Sequence, residues 1–362
     1  MGVARFAFTP ILPLMESQAS MSSATATACA TSNYLGYLVG ALAGLRLRFE
    51  QHSTSTRIAR TAAIAACASL AAMPLVDGVL PWVVLRFVAG AAGALLFVVA
   101  VDELLSGGGR VTAGWAFGGV GAGIAVSGAV ASVLGDSWRW SWWGTAAAAA
   151  TMTALAWRRP SSVGPGALRA DAWHSLSRGR YSFPTVWCIY TLEGLGYIIA
   201  GTFLVAAVAE VAPGRLGAHV WIAVGLCAIP SCAAWTWLAT RVEPAAVLSI
   251  ALILQATGVV LPTLGGRAAA AMASGVLFGA TIIGVPWLAV ALGRTSGRRN
   301  HVALMTVGYS IGQVLGPIAV HPLQGHGYQL SLVAAAGILG VAALLAGALA
   351  VWSGRPGLAR TS

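Results

Sequence analysis

Eleven long apolar stretches follow one another along the chain, and they limit its fold more than any other feature. They cover residues 24–45, 58–76, 80–101, 111–134, 138–157, 183–209, 218–240, 244–263, 268–293, 302–322 and 328–353. Each is close to the ~20 residues that an α-helix needs to cross a ~30 Å hydrocarbon core. A helix also satisfies its own backbone hydrogen bonds in lipid. The sequence therefore predicts an all-α polytopic membrane protein.

A shorter apolar segment, Phe6–Met15, precedes these stretches. If Glu16 marks the outer surface, a helix places Arg5 about 16 Å further in, near the middle of the bilayer. We therefore expect the first spanning helix to be truncated at its N-terminus in this sequence. The alternative is a signal peptide, but Pro10 and Pro13 within so short an apolar core argue against it.

Basic residues fall mainly in alternate gaps between the apolar stretches. All 21 are Arg, and charged residues make up only 9% of the chain. Sixteen Arg lie in the gaps at 46–60, 110, 158–180, 241, 294–299 and 355–360, whereas the opposite gaps hold only Arg139, Arg215 and Arg267. This asymmetry predicts that the first set of loops and the C-terminus are cytoplasmic. We expect the protein to lie in the cytoplasmic (inner) membrane of a bacterium. Because the +11 charge is spread over loops, it does not indicate nucleic-acid binding.

The predicted topology can be tested by labelling from one side of the membrane. Single Cys residues introduced at Ser162 and Ser137, on a Cys-less background, should react with an impermeant thiol reagent from opposite faces of sealed membranes. Labelling of both positions from the outside would contradict the predicted orientation.

The cysteines and histidines give no sign of a metal site or a disulfide framework. The five Cys lie inside apolar stretches, with no Cys-x-x-Cys pair and no Cys/His ligand set. The sequence also lacks a Walker motif, a nucleophile elbow and a Gly-rich phosphate loop, so neither ATP-driven transport nor enzymatic catalysis is indicated. We expect no cofactor.

The chain reads as two similar halves. We predict a first six-helix bundle over 1–158, a cytoplasmic linker over 159–182, a second six-helix bundle over 183–353 and a cytoplasmic tail over 354–362. Glycine-rich segments recur in the same order in both halves, for example in the fifth and eleventh predicted spans. Parallel repeats of this kind are typical of one large class of transporters.

Several motifs resemble those of the major facilitator superfamily. "LRFVAGAAGA" around Arg86 resembles its fourth-helix motif, "GYSIGQVLGP" its antiporter-type glycine motif, and "DSWRWSWWG" at 136–144 the start of its sixth helix. The fifth span lacks the motif's Pro, and "GALAGLRLRFEQ" lacks the Asp of the loop motif between helices two and three. A narrower resemblance, to the YbfB/YjiJ branch, rests on "GVARFAFTPILPLM", "SNYLGYLVGA", "EGLGYIIAGTFLVA" and "LFGATIIG".

The superfamily resemblance implies a central cavity lined by helices one, four, seven and ten, which contain three intramembrane charges, at Arg5, Arg86 and Glu193. Such charges are costly and indicate function by default. Glu193 is our candidate for carrying a coupling proton, the alternative being a structural ion pair with Arg5. Arg86 is expected to assist proton movement or, alternatively, to pack against backbone carbonyls. Arg5 could bind a carboxylate or phosphate of a substrate.

Other side chains in helices two, seven and ten could line the cavity or simply pack between helices. They are Asn33, Tyr34 and Tyr37 in helix two, Tyr190 and Tyr197 in helix seven, and Thr281 and Trp287 in helix ten. The glycine rows could let helices five and eleven slide or bend during transport, although close packing explains them equally well. The residues concerned are Gly118, Gly121, Gly123, Gly312, Gly316 and Pro317.

Taken together, these features predict a secondary active transporter of a small molecule, coupled to protons and working as a monomer in the lipid bilayer. The glycine pattern favours export. The alternatives are an importer of a small organic anion, suggested by two Arg against one Glu in the expected cavity, and a non-transporting membrane sensor or scaffold.

Overall fold

Helices account for nearly the whole described chain. The computed structural model describes residues 2–46, 52–106, 115, 117–157, 181–212, 214–264, 268–295 and 301–353, and within these it contains fourteen α-helices and no strand. They are α1 (Gly2–Phe6), α2 (Phe8–Gln18), α3 (Ser23–Arg46), α4 (His52–Ala72), α5 (Val79–Ser106), α6 (Gly118–Val133), α7 (Trp138–Trp157), α8 (Phe183–Val211), α9 (Leu216–Ala239), α10 (Pro244–Val260), α11 (Ala268–Ile282), α12 (Gly284–Arg294), α13 (His301–Val320) and α14 (Gln329–Ser353).

The predicted all-α membrane fold is confirmed. Seven of the described helical segments are long and apolar enough to cross a bilayer, and the apolar helix α6 is shorter. Following the predicted division, we refer to helices α1–α7 as the first bundle and to α8–α14 as the second. The predicted linker lies outside the described residues except for 181 and 182, and the tail 354–362 lies wholly outside them.

Two of the predicted spans are each divided into two helices, which the apolar pattern alone did not indicate. The first is interrupted at Ala7 and the tenth at Ile283. Pro10 and Pro286 follow these breaks, and a proline ring clashes with the carbonyl four residues earlier, here that of Phe6 or Ile282.

The break at Ile283 is stabilised by the second bundle itself. The amide of Gly284 donates to the Ser231 hydroxyl at 3.1 Å instead of to the carbonyl of Ala280. That carbonyl accepts hydrogen bonds from Ser231 at 2.8 Å and from the Trp235 indole at 2.6 Å. Side chains of α9 therefore satisfy the backbone groups that the break releases.

Numerous polar contacts join the two bundles towards one end of the molecule, which we call the Glu16 end; the opposite one is the Arg60 end. Thr27 donates to Gln324 at 3.0 Å, and Arg215 forms an ion pair with Asp136 at 3.3 Å. Tyr328 donates to Glu16. The bundles are thus in contact at the Glu16 end, which the Arg asymmetry predicts to be the outer one.

Candidate functional site

Arg5 lies in the middle of the molecule, where the two bundles meet. Its side chain is only 8% exposed, and its Nη2 donates to the hydroxyl of Tyr197 in the second bundle at 3.0 Å. The guanidinium carbon lies 4.1 Å from the centre of the Tyr37 ring. Its Nε has no hydrogen-bond partner, and the described acidic side chains form no ion pair with it. Arg5 is therefore a buried cation with an unused donor and no counter-charge.

Arg86 holds the backbone that carries Arg5. Its Nη1 and Nη2 lie 3.4 Å from the carbonyl oxygens of Ala4 and Arg5, just before the break at Ala7. The side chain is 2% exposed, and its guanidinium lies over the rings of Phe8 and Trp142. These contacts are of the kind expected for the packing alternative, but the Nε of Arg86 has no hydrogen-bond partner. A role in proton movement therefore stays a prediction.

Asn33 has a comparable packing contact. Its Nδ2 donates to the carbonyl of Arg86 at 2.8 Å, which joins α3 to α5, while its Oδ1 has no partner. Thr281 directs its hydroxyl to the carbonyls of Leu277 and Phe278 in its own helix. Both side chains are buried, so their polar atoms are used mainly by neighbouring backbone.

Five of the chain's seven tyrosines gather around Arg5, and we call them the tyrosine cluster: Tyr34, Tyr37, Tyr190, Tyr197 and Tyr309. The ring of Tyr309 stacks on Tyr190 with centroids 4.3 Å apart and on Tyr197 with centroids 5.5 Å apart, at interplanar angles of 14° and 7°. The hydroxyl of Tyr34 lies 2.7 Å from that of Thr202, across the interface between the bundles. The cluster provides flat apolar surfaces together with hydroxyl groups beside one cation.

Glu193 lies on the same helix as Tyr190 and Tyr197 but is fully buried inside the second bundle. Neither carboxyl oxygen has a well-aligned hydrogen-bond partner. The Gln255 side chain of α10 lies beside this carboxyl group, and its amide nitrogen and oxygen are likewise without another partner. The alternative considered for Glu193 was an ion pair with Arg5. These two side chains form no ion pair in the structure, and Arg5 donates to Tyr197 instead.

The predicted glycines are points of close approach between helices. A Cβ at Gly118 or Gly121 would come within 3 Å of backbone atoms of Ile229 in α9, across the bundle interface. At Gly123 it would meet Gly2 of α1, and at Gly312 and Gly316 it would meet α8. Pro317 lies within α13, which continues to Val320. These contacts are those of close packing, and a sliding role stays a prediction.

Gly121 and Gly119 offer a matched test of this packing, because they lie two residues apart on α6. A Cβ at Gly121 would lie 2.7 Å from Ile229 N and 2.8 Å from Gly225 O, whereas one at Gly119 would meet nothing within 4 Å. We expect Gly121→Ala to lower the free energy of unfolding by about 1–3 kcal/mol through overpacking. Thermal unfolding of the purified variants should show no such loss for Gly119→Ala, and equal stability of the two would contradict the assigned contact.

At the Glu16 end, two carboxylates converge on one tyrosine. The Tyr328 hydroxyl donates to Glu16, and the Tyr328 amide donates to both oxygens of Glu210, at 2.9 and 3.1 Å. Glu16 lies beyond the apolar segment Phe6–Met15. Burial, with the neighbouring Glu210 adding to it, raises the pKa of Glu16 to about 7, although the bond from Tyr328 opposes the shift.

The raised pKa of Glu16 predicts that closure of the Glu16 end depends on pH. When the bundles separate there, the Glu16 carboxyl is exposed and its pKa returns to its ordinary value near 4.5. Between about pH 4.5 and 7, Glu16 is therefore protonated when this end is closed and ionised when it is open. Acid favours the closed end, and this advantage is lost as the pH rises towards and through 7. Spin labels at Leu80 and Leu264 should report a shorter distance at low pH than at high pH, and Glu16→Gln should remove this dependence. Asp77→Asn is the matched control and should keep the pH dependence. If Glu16→Gln also keeps it in full, the pH dependence belongs to another group.

Three residues of the site were not predicted from the sequence: Tyr309, Gln313 and Gln255. Gln313 donates from Nε2 to the Tyr197 hydroxyl at 2.9 Å, and its Oε1 has no partner. Tyr309 and Gln313 are four residues apart on α13, within the glycine motif "GYSIGQVLGP", and so face the same way. Their four-residue spacing among the motif's glycines was the signal that could have identified Tyr309 and Gln313.

Comparisons with known proteins agree with this architecture. The family model described as "Uncharacterised MFS-type transporter YbfB" matches residues 1–349. The nucleoside transporter NupG is similar in structure: a mutant form of it has a TM-score of 0.73 at 14% identity, with 96% of this chain and 97% of that chain covered. A second NupG structure has a TM-score of 0.68 at 14% identity, with 96% of each chain covered. At this identity the likeness shows the fold alone.

No curated protein matches the sequence. The family match nevertheless spans nearly the whole chain, and with the structural likeness it identifies a membrane transporter rather than an enzyme. The chain belongs to the major facilitator family described as YbfB-type transporters.

Proposed function

We propose that this protein is a proton-coupled secondary active transporter of a small molecule, in which Arg5 binds the substrate and Glu193 carries the coupling proton. The observation that supports this most is the presence of two buried charged groups on opposite bundles, each with hydrogen-bonding capacity left unused. Groups of this kind are costly in a membrane, and stable packing gives no reason to keep them.

The surroundings of Glu193 support its assignment to the proton. An ionised carboxylate without a counter-charge is costly to bury, so the proposed mechanism has Glu193 carry the proton in this conformation. A rearrangement that admits water would let it ionise. Since Glu193 shares α8 with Tyr197, the partner of Arg5, the same helix can respond to both the proton and the substrate.

The glycine pattern favours export, in which protons enter as the substrate leaves. Uptake of a small organic anion together with protons is a second candidate, favoured by the uncompensated charge of Arg5. In either case the site between the bundles would be reached alternately from the two sides of the membrane. The protein is expected to work as a monomer in the bacterial inner membrane.

Proton movement in proteoliposomes tests this function and its direction. The purified protein would be reconstituted with a trapped pH-sensitive dye, and a small-molecule extract of bacterial cytosol would be placed either inside or outside. Acidification of the lumen with extract inside indicates exchange of substrate for protons; acidification with extract outside indicates cotransport. Absence of protein-dependent proton movement in both arrangements would contradict proton-coupled transport and favour the sensor or scaffold.

A further inference from the structure

We propose that the tyrosine cluster and Arg5 together form a site for a planar aromatic carboxylate, which names the substrate class for the transporter proposed above and rests on that proposal. Two features of the site carry the inference. One is the unused hydrogen-bonding capacity of a buried guanidinium, and the other is the parallel stacking of the tyrosine rings next to it.

The anionic group follows from the charge balance around Arg5. Its Nε has no partner, and the acidic side chains in the described part of the chain form no ion pair with it. A carboxylate could accept hydrogen bonds from Nε and a neighbouring Nη at once, the paired geometry in which guanidinium binds carboxylates most strongly. A neutral substrate would leave this buried charge uncompensated.

The aromatic group follows from the rings around that charge. Tyr190, Tyr309 and Tyr197 form a continuous stack of nearly parallel rings, and Tyr37 presents its face to the guanidinium. Tyr309 is the partly exposed member of the cluster, whereas the other four tyrosines are buried. Because Tyr309 is the middle ring of this stack, a planar ring that enters beside it would meet its edge. Edge-to-face contact is one of the two arrangements that aromatic pairs favour.

Gln313 adds a third feature that a ligand could use. Its Nε2 is held by Tyr197, but its Oε1 is buried without a donor. A hydroxyl or N–H group on the ring of the ligand would satisfy it. The site therefore favours aromatic acids that carry a donor over those that do not.

Binding of a small panel of probes to the purified wild-type protein tests the proposal without a proton gradient. The probes are benzoate, 4-hydroxybenzoate and indole-3-acetate, with benzamide as the neutral analogue and cyclohexanecarboxylate as the non-aromatic analogue. Each dissociation constant would be obtained from the ligand-dependent rise in the unfolding temperature. We expect benzamide to bind at least about tenfold more weakly than benzoate because it lacks the charge. Cyclohexanecarboxylate should bind about two- to tenfold more weakly because it has no aromatic ring to contact Tyr309.

Variants locate the binding in the cluster. Arg5→Gln should weaken benzoate binding at least about tenfold, and Tyr309→Leu should reduce the preference for benzoate over cyclohexanecarboxylate. Arg139→Gln, an equal change at an exposed arginine of the Glu16 end, should leave both unchanged.

Several results would overturn the assignment: no binding by any aromatic acid, equal binding of benzoate and benzamide, equal binding of benzoate and cyclohexanecarboxylate, or unchanged binding in Arg5→Gln. The dye assay with metabolite extract, run on the same preparation, separates this failure from that of the proposed function. Extract-dependent proton movement without aromatic-acid binding would reject the substrate class alone, whereas absence of both would reject the transporter proposal as well.

Discussion

Glu193→Gln is expected to abolish proton-driven net transport while leaving substrate binding, and exchange of substrate across the membrane, largely intact. Glutamine has nearly the size and hydrogen-bonding shape of a protonated glutamate but cannot release a proton. Since Glu193 is buried without a counter-charge, the substitution removes no ion pair from the described structure. The variant should therefore fold at least as stably as the wild type, because an ionisable group is replaced by a neutral one.

Two assays on the same proteoliposomes separate these effects. Dye acidification should fall to the level of empty liposomes in Glu193→Gln, whereas exchange of labelled substrate between extract-loaded liposomes and medium should continue. Asp77→Asn is the matched control, since Asp77 is an exposed carboxylate of the first bundle that pairs with Arg139. Wild-type proton movement in Glu193→Gln would remove Glu193 from the coupling mechanism and direct attention to Glu16.

The fold could be predicted from the sequence because a bilayer imposes strict requirements on length and polarity. Apolar stretches of about 20 residues leave few alternatives to spanning helices. The breaks at Ala7 and Ile283 were also readable in principle, since Pro10 and Pro286 stand four residues after the last residue of α1 and of α11. A hydropathy pattern does not show these breaks, because proline does not interrupt the apolar stretch around it.

The candidate site was only partly predictable, for a geometric reason. Charges in or directly beside apolar segments single out Arg5, Arg86 and Glu193, but sequence spacing does not say which groups they face. On α8, Glu193 is rotated by about 60° from Tyr190. That rotation points it towards Gln255 of its own bundle, whereas Tyr197 meets Arg5 of the other bundle. The partner of Arg5, Tyr197, lies on α8, and that of Glu193, Gln255, lies on α10. Both are distant in sequence from the charge that they face, and Gln255 belongs to no motif.

Arg5→Met is expected to eliminate transport with little change in the stability of the protein. Burying an unpaired guanidinium costs several kcal/mol. Two contacts of Arg5 offset this cost. The hydrogen bond to Tyr197 contributes about 1.5–3 kcal/mol, and the stacking on Tyr37 contributes up to about 2 kcal/mol. Because these contributions nearly cancel, and because Met fills a similar apolar volume, the free energy of unfolding should change little. Tyr197 would keep its hydrogen bond from Gln313, so no new unsatisfied group is created.

The comparison of stability with flux then decides what Arg5 does. Thermal unfolding in detergent and the dye assay would be measured on Arg5→Met and on the control Arg139→Met, which alters an exposed arginine. A transport role predicts lost flux at nearly unchanged unfolding temperature for Arg5→Met, and retained flux for the control. If Arg5→Met instead unfolds the protein, and Tyr197→Phe added to it restores stability, Arg5 is a structural partner of the second bundle. A side chain kept for ligand binding need not stabilise its own protein, so unchanged stability with lost flux would assign Arg5 to the ligand. Arg86 differs in that both of its Nη atoms contact backbone carbonyls of α1, although its Nε has no partner either.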